Sequence, residues 1–347
     1  MDEGLLVEVG ATVSNQPGRR RIDLELNRSA RYAVGIQLGD TYAMVVLVNL
    51  AGQVCRTETV EKDAGAGLVE LLTDVIAAVQ RLCQAAGIQT SNLLGCGVGV
   101  AGLVNPAAGL VYLAPNLHGS YVRAVETVQA QLNCPVYVDN EVNTMALGEL
   151  WFGAGQGRRR LLCVSVGQGI GGGIVINGAI YRGETGIAGE IGHTIIDVNG
   201  PRCGCGNHGC LETMGGGHAL ITAVSAIRDV GDLTARGGLV RSLERIEGYL
   251  KEGDPEVTAA AARMARYLAV GLANAIHSYN PELLIVGGPV AVSCPSVIQK
   301  SLTMVGSLLL EGAKSTVLTA SALAGQAESL GAAALVLQRF FEPNGPE

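Results

Sequence analysis

Between residues 32 and 60 the apolar positions fall into three runs, YAVGIQL (32–38), AMVVLVN (43–49) and QVCRTETV (53–60), interrupted at Gly39-Asp40-Thr41 and Leu50-Ala51-Gly52. Short β-branched runs separated by turn residues predict three strands in an antiparallel meander. The period then changes: Leu68, Leu71, Leu72, Val75, Ile76, Val79 and Leu82 recur at helical spacing, which predicts an amphipathic helix ending near Gly87. LLGCGVGVAG (93–102) and CPVYVDN (134–140) are compact apolar runs of the kind that form buried parallel strands.

The second half repeats the plan. LLCVSVG (161–167) predicts a strand, a glycine-rich turn follows, and GIVINGAIYRG (173–183) returns as a strand with a hairpin signal at Asn177-Gly178. Residues 258–279 predict a long helix, and ELLIVGG (282–288) a further strand. A strand–glycine turn–strand unit that occurs twice, each time followed by helices and parallel strands, predicts a duplicated α/β fold of two lobes with a cleft.

Composition narrows the classes. At 347 residues the chain is long enough for two ordinary domains, and with 48% hydrophobic and 16% charged residues it is a globular protein. A net charge of −7 leaves no basic excess to spread along a phosphate backbone, which argues against nucleic-acid binding by this chain alone. Residues 161–181 carry no charge, yet their glycines together with Gln168 and Asn177 predict a buried sheet and not a membrane span. The N-terminus lacks the order of a signal peptide, and six scattered cysteines with three clustered ones suit a reducing compartment, so a cytoplasmic protein is expected.

Two glycine turns invite a nucleotide reading. GQGIGG (167–172) and GVGVAG (97–102) both fit G-x-G-x-x-G, but no helix follows either one, and the dinucleotide fingerprint requires a helix N-terminus facing the pyrophosphate. Tight turns without a ligand, or a hairpin presenting N–H groups to a phosphate, remain.

The stretch CGCGNHGCLE (203–212) is more specific. Cys203, Cys205 and Cys210 stand at C-x-C-x4-C with glycines between them, a spacing that lets thiolates converge on one ion. His193 and His208 are rival fourth ligands for a structural zinc. Glu190 and Glu212 each lie within three residues of a candidate ligand, so a bound ion would hold both carboxylates on one wall, where they could accept hydrogen bonds from vicinal hydroxyls.

With GETGIAGEIGHTIIDVNGPRCGCGNHGCLE (183–212), GVGVAGLVN, APNLHG, VDNEVNTMALGE and NPELLIVGG in place, the chain resembles the ROK family of repressors and sugar kinases over nearly its whole length from about residue 30. The resemblance implies the actin-like ATPase (ribonuclease H-like) fold. It also implies zinc on His193, Cys203, Cys205 and Cys210, and monosaccharide contacts from Gly102, Asn140, Glu141, Glu190, His193 and Glu212. The expected domains are a remnant of a winged helix-turn-helix wing and linker (1–30), an N-terminal lobe (31–140) completed by a C-terminal helix (325–341), and a C-terminal lobe (141–324) with the zinc loop.

Three departures from the kinase pattern set the functional expectation. The D-I-G-G-T-K-like turn of the family's kinases reads QLGDTY here, with Gln37 for the aspartate and Tyr42 for the lysine. The second phosphate turn reads Gly167-Gln168-Gly169, and the N-D-A-N element reads Asn140-Glu141-Val142-Asn143. A neutral amide supplies none of the charge that metal-assisted phosphoryl transfer uses. The resemblance therefore implies the sugar-binding, oligomeric effector part of a transcriptional repressor, xylose- or glucose-responsive. Such a protein meets operator DNA only through a winged helix-turn-helix absent from these residues, with Arg19, Arg20 and Arg21 as a basic turn beside it. The alternative is a sugar kinase with Glu141 as catalytic base and Mg-ATP held at Gly39, Gly167 and Gly169.

Overall fold

The computed structural model describes residues 4–12, 21–40, 42–63, 65–233, 237–323 and 325–342. The chain divides into two compact units: one of residues 1–62, 66–139 and 332–347, the other of residues 63–65 and 140–331.

In the first unit, β1 (Leu6–Thr12) and β2 (Arg21–Leu26) form an antiparallel ribbon with a bulge between Glu8 and Gly10. Arg19 and Arg20 of the expected basic turn lie outside the described residues. The predicted meander follows as β3 (Tyr32–Leu38), β4 (Tyr42–Asn49) and β5 (Val54–Glu61), paired antiparallel in that order. Helix α1 (Leu68–Ala85) buries the seven residues whose spacing predicted it, and the Glu70 carboxylate accepts the orphan Gly67 N–H at 3.0 Å to fix its start. Strand β6 (Leu93–Val100) runs parallel to β3.

Three short strands, β7 (Leu103–Asn105), β8 (Leu110–Ala114) and β9 (Gly119–Val122), make a separate antiparallel sheet before α2 (Ala124–Leu132) and β10 (Val136–Asn140). The main sheet has the order β10-β6-β3-β4-β5. Val34, Ile36 and Leu38 on β3 pack with Val45 and Leu47 on β4 and with the buried face of α1.

The second unit opens with α3 (Glu141–Phe152), then β11 (Arg160–Val166), β12 (Ile170–Ile176) and β13 (Ala179–Ile180). After the cysteine loop come α4 (Glu212–Gly215), α5 (Gly217–Ser225), α6 (Gly238–Lys251), α7 (Pro255–Tyr279), β14 (Leu283–Gly287), α8 (Pro289–Ser293), α9 (Pro295–Leu308), β15 (Val317–Ala320) and α10 (Ala327–Phe341). The sheet order is β13-β12-β11-β14-β15, with β11, β14 and β15 mutually parallel and the β11–β12–β13 pairs antiparallel. Each unit thus holds an antiparallel trio whose first strand pairs in parallel with a later one, β3 with β6 and β11 with β14, the duplication expected from the sequence.

Helix α7 is stopped at both ends by its own residues. Asp254 Oδ1 accepts the N–H groups of Glu256 and Val257 at 3.0 and 3.1 Å, and Asn280 closes the helix in the left-handed region at φ 44°. Residues 332–341 of α10 return to the first unit, where Gly97 on β6 leaves room for the backbone of Ala332.

One boundary differs from the sequence expectation. The glycine run 167–172 was expected to be a turn with the strand starting at 173, but β12 already begins at Ile170 and the turn is only Gly167–Gly169. The glycines are in the strand because two neighbours approach it closely. A Cβ on Gly173 would lie 2.9 Å from Ala146 Cβ, one on Gly171 would lie 2.8 Å from Val142 Cγ2, and one on Gly172 would meet the Gly189 carbonyl at 2.8 Å.

Candidate functional site

Strand β12 is the scaffold of the site. Through Gly171 and Gly173 it takes the N-terminal turn of α3, and through Gly172 it holds the 184–193 segment, whose Gly189 carbonyl accepts the Gly172 N–H at 2.7 Å. The first contact places Asn140 and Glu141, the second Glu190 and His193. Asn140 is the N-cap of α3, its Oδ1 accepting the Val142 N–H at 2.8 Å, and Glu141 is the first helical residue. Glu190 leads into the 3-10 turn Ile191–His193.

The cysteine loop folds back on that turn. Cys203 N–H donates to Asn207 O at 2.8 Å, Gly206 N–H to Cys203 O at 3.0 Å, and Ile196 N–H to Gly209 O at 2.9 Å, while isolated bridges join Ile195 to Cys210 and Arg202 to His208. The result gathers His193, Cys203, Cys205 and Cys210, all four ligand atoms lying within 4.8 Å of one another. His208 points elsewhere, its Nδ1 lying 3.3 Å from Gly200 O, so of the two histidine candidates His193 joins the cluster.

The spacing fits zinc. Around an ion with Zn–S of about 2.3 Å and Zn–N of about 2.0–2.1 Å, tetrahedral ligands stand about 3.8 Å apart sulfur to sulfur and about 3.6 Å sulfur to nitrogen. Cys205 Sγ and Cys210 Sγ are 3.7 Å apart, and Cys203 Sγ and His193 Nδ1 are 3.6 Å apart. A histidine and three thiols with no fifth donor of this type in the group match a closed structural site.

The carboxylates flank this cluster. Glu212 Oε1 accepts from the Cys203 thiol at 2.9 Å and lies 3.5 Å from His193 Nδ1, while Glu190 Oε2 lies 3.9 Å from His193 Nε2. The imidazole therefore presents one nitrogen to the thiols and the other to Glu190. Burial raises the Glu190 carboxyl above its ordinary range; the His193 ring opposes this and the Glu212 charge adds to it. Burial, then the hydrogen bond to Glu212, pushes the Cys203 thiol well up, whereas the exposed Cys205 is brought down to about 7 by the Asn207 backbone N–H and the Cys203 thiol.

Glu212 also ties the second glycine turn to the site. A Cβ on Gly169 would lie 2.6 Å from its Oε2, and the carbonyls of Gly167 and Gln168 accept the N–H groups of Gly217 and His218 at 2.8 and 3.2 Å. Gly167 and Gly169 therefore pack on the same wall as the thiol cluster. Gly39 and Gly102 belong to the first unit. Gly39 donates its N–H to Tyr42 O at 3.0 Å across the β3–β4 turn, and Gly102 follows β6.

The sequence reading passed over Asp40 in that turn. Its Oδ2 accepts from Asn116 Nδ2 at 3.0 Å, its Oδ1 is buried without a protein partner, and burial raises its pKa against the opposing effects of Asn116 and Lys62. Gln37 is equally enclosed, with a buried Oε1 that has no hydrogen-bond partner. An acidic residue inside a glycine turn otherwise suited to phosphate was the signal available for Asp40.

Comparisons with known proteins agree with this geometry. The sequence profile of the ROK family matches residues 33–339. The chain is 36% identical over 289 residues to the xylose repressor of Caldicellulosiruptor bescii, covering 82% of this chain and 72% of that protein. It is 31% identical over 275 residues to the glucokinase of Halalkalibacterium halodurans, covering 76% and 82%. Among solved structures, a ROK family transcriptional regulator homologous to the E. coli MLC protein superposes with a TM-score of 0.81 at 26% identity, covering 98% of this chain and 86% of that one. A ROK family glucokinase from Streptomyces griseus, in complex with glucose and AMPPNP, gives a TM-score of 0.75 at 28% identity, covering 88% and 98%.

Proposed function

Because the chain belongs to the ROK family, we propose that it is the sugar-binding effector part of a transcriptional repressor of sugar utilisation, responsive to xylose or glucose, and not a kinase. The observation that carries this reading is the β3–β4 turn. Where phosphoryl transfer needs a carboxylate to hold magnesium, this turn has the amide of Gln37, and it adds the buried carboxylate of Asp40. The metal-holding position of the turn is thus a neutral amide, and the Asp40 carboxyl beside it is turned to Asn116. The altered Gly167-Gln168-Gly169 turn and Glu141 in place of an aspartate point the same way.

The sugar half is retained in this reading. Asn140, Glu141, Glu190, His193 and Glu212, all in the second unit, supply acceptors and a donor for vicinal hydroxyls. Zinc on His193, Cys203, Cys205 and Cys210 holds the imidazole and both flanking glutamates in place, as an ion closed to water does. Sugar binding then shifts the population of subunit arrangements in an oligomer. Operator contact belongs to a winged helix-turn-helix, of which the β1–β2 ribbon is read as the adjoining wing.

The resemblance to glucokinases at 31% identity keeps one second reading in view, sugar phosphorylation with Glu141 as base. An ADP-release assay with Mg-ATP against a sugar panel decides between them. The repressor reading expects sugar binding by calorimetry with no sugar-stimulated ADP release; turnover on the order of 1 per second or above, ordinary for a kinase, overturns it.

A further inference from the structure

Of the nine cysteines, three belong to the cluster with His193, and three others, Cys83, Cys96 and Cys134, come together inside the first unit. Cys96 on β6 and Cys134 just before β10 place their Sγ atoms 3.7 Å apart, and both are buried. Cys83, in the last turn of α1, stands close enough to the pair to feel the Cys134 charge. Neither zinc binding nor sugar recognition uses any of the three.

The backbone brings the two sulfurs together. Asn133 ends α2 in the left-handed region at φ 50°, and the next two residues, Cys134 and Pro135, lie against β6. Cys96 N–H donates to Pro135 O at 2.8 Å, and a Cβ on Gly95 would come within 2.5 Å of that same carbonyl, so the close approach depends on a residue without a side chain. Leu94 is an extra residue in the β3–β6 register, Tyr32 facing Leu93 and Ala33 facing Gly95, and a bulge of this kind re-aims the side chains beside it. Neighbouring strands stand about 4.8 Å apart, inside the Cα separation of about 4.4–6.8 Å that a disulfide bridges. That spacing leaves the gap between the sulfurs to be closed by side-chain rotation. The two thiols are also unlike. Cys134 is 5% exposed and Cys96 not at all. The hydrogen bond from Cys96 holds the Cys134 thiol below its ordinary range against the effect of burial, and the same bond, with burial adding, raises Cys96.

We propose that Cys96 and Cys134 are a reversible redox site, which hydrogen peroxide closes to a disulfide with Cys134 as the attacking sulfur and Cys96 as the resolving one. The Cys134 thiolate attacks a peroxide oxygen and the O–O bond breaks, leaving a sulfenic acid on Cys134 and hydroxide, which takes up the thiol proton as water. Cys96 sulfur then attacks the sulfenic sulfur, the S–O bond breaks, and a second water leaves with the Cys96 proton. Two thiols and one peroxide thus give one disulfide and two waters, the sulfurs being oxidised and the peroxide oxygens reduced. A dithiol reductant restores both thiols by exchange. The bond clasps the α2–β10 junction to β6, wholly within the first unit, and needs neither the zinc cluster nor a sugar.

Trypsin separates the participants, since Cys83 and Cys96 fall in the peptide 82–123, Cys134 in 124–158 and the three clustered cysteines in 203–228. The folded full-length chain is treated with hydrogen peroxide, its remaining thiols are blocked with N-ethylmaleimide, and it is digested without reductant for mass spectrometry. A link between 82–123 and 124–158 is expected, about tenfold more abundant than in the urea-unfolded chain treated alike, because the fold holds the sulfurs in contact. Dithiothreitol should remove it, Cys83→Ser should keep it, and Cys96→Ser and Cys134→Ser should lose it. In Cys96→Ser the sulfenic acid on Cys134 lacks its resolving partner and should be trapped by dimedone. No link in the folded wild-type chain, or one no more abundant than in the unfolded chain, overturns the site without recourse to any variant. A link that disappears in Cys83→Ser assigns the bond to Cys83 and overturns it as well.

Discussion

At the scale of single residues, the thiol cluster and one buried acid make different demands. If the four ligands hold zinc, Cys210→Ser removes a buried donor that nothing else in the group replaces, and zinc content measured by atomic emission should fall from about one ion per chain towards none. His208→Ala, outside the cluster, should leave it unchanged. Glu328 gives a pH signature instead. Burial, with the Glu149 charge adding, pushes its carboxyl up to about 7 from an ordinary 4.5. The folded state therefore binds the proton more tightly than the unfolded state, and stability contributed by the neutral acid is complete below about 4.5 and lost as pH rises to about 7. The loss is on the order of 3 kcal/mol. Urea unfolding of Glu328→Gln between pH 5 and 8 should show this slope flattened and the variant more stable than the wild type at pH 8.

Elements show which parts of this structure could be read from the sequence. The β3–β4–β5 meander, α1 and α7 were legible because each carries a sustained period of one kind, and their boundaries fall within a few residues of the expected ones. The β7–β8–β9 sheet was not, because strands of three to five residues are too short to establish a period. The glycine run misled for another reason: glycine in a strand looks like a turn until the partner that needs the space is known, and here that partner is α3, distant in the pattern though close on β12. The cysteines of the candidate zinc site were legible as a spacing, which left His193 and His208 as rivals; the family resemblance chose His193, and the fold gathers it with the three thiols. Asp40 was hidden in plain view, a common turn residue whose burial only the packing against Asn116 reveals. The element scale has its own test. Gly173→Ala forces α3 away from β12 and should lower stability by about 1–3 kcal/mol, read from the urea midpoint, with Gly306→Ala, on an open face of α9, lacking the collision.

For the molecule as a whole, the two units should respond differently to loss of the ion. Cysteine loop, Glu190 turn and Gly167–Gly169 turn are joined by Glu212 and by backbone hydrogen bonds within the second unit. Treatment with a zinc chelator should therefore raise amide hydrogen exchange at residues 167–169 and 190–212, with strands β3 to β6 of the first unit keeping their protection. Uniform loss of protection across both sheets would show that the ion supports more than its own wall. Among the described residues no helix is long and apolar enough to cross a membrane.

The first unit closes with residues 332–341, yet its sheet is complete in sequence by residue 140. About 190 residues lie between, and at ~5–20 residues per second a ribosome needs roughly 10–40 s to add them. A sheet that paired during that interval would have Gly97 without the backbone of Ala332 that covers it in the folded chain. Chains that fold as they are synthesised would thus leave the place of residues 332–341 open for that time, long enough for a chaperone to act.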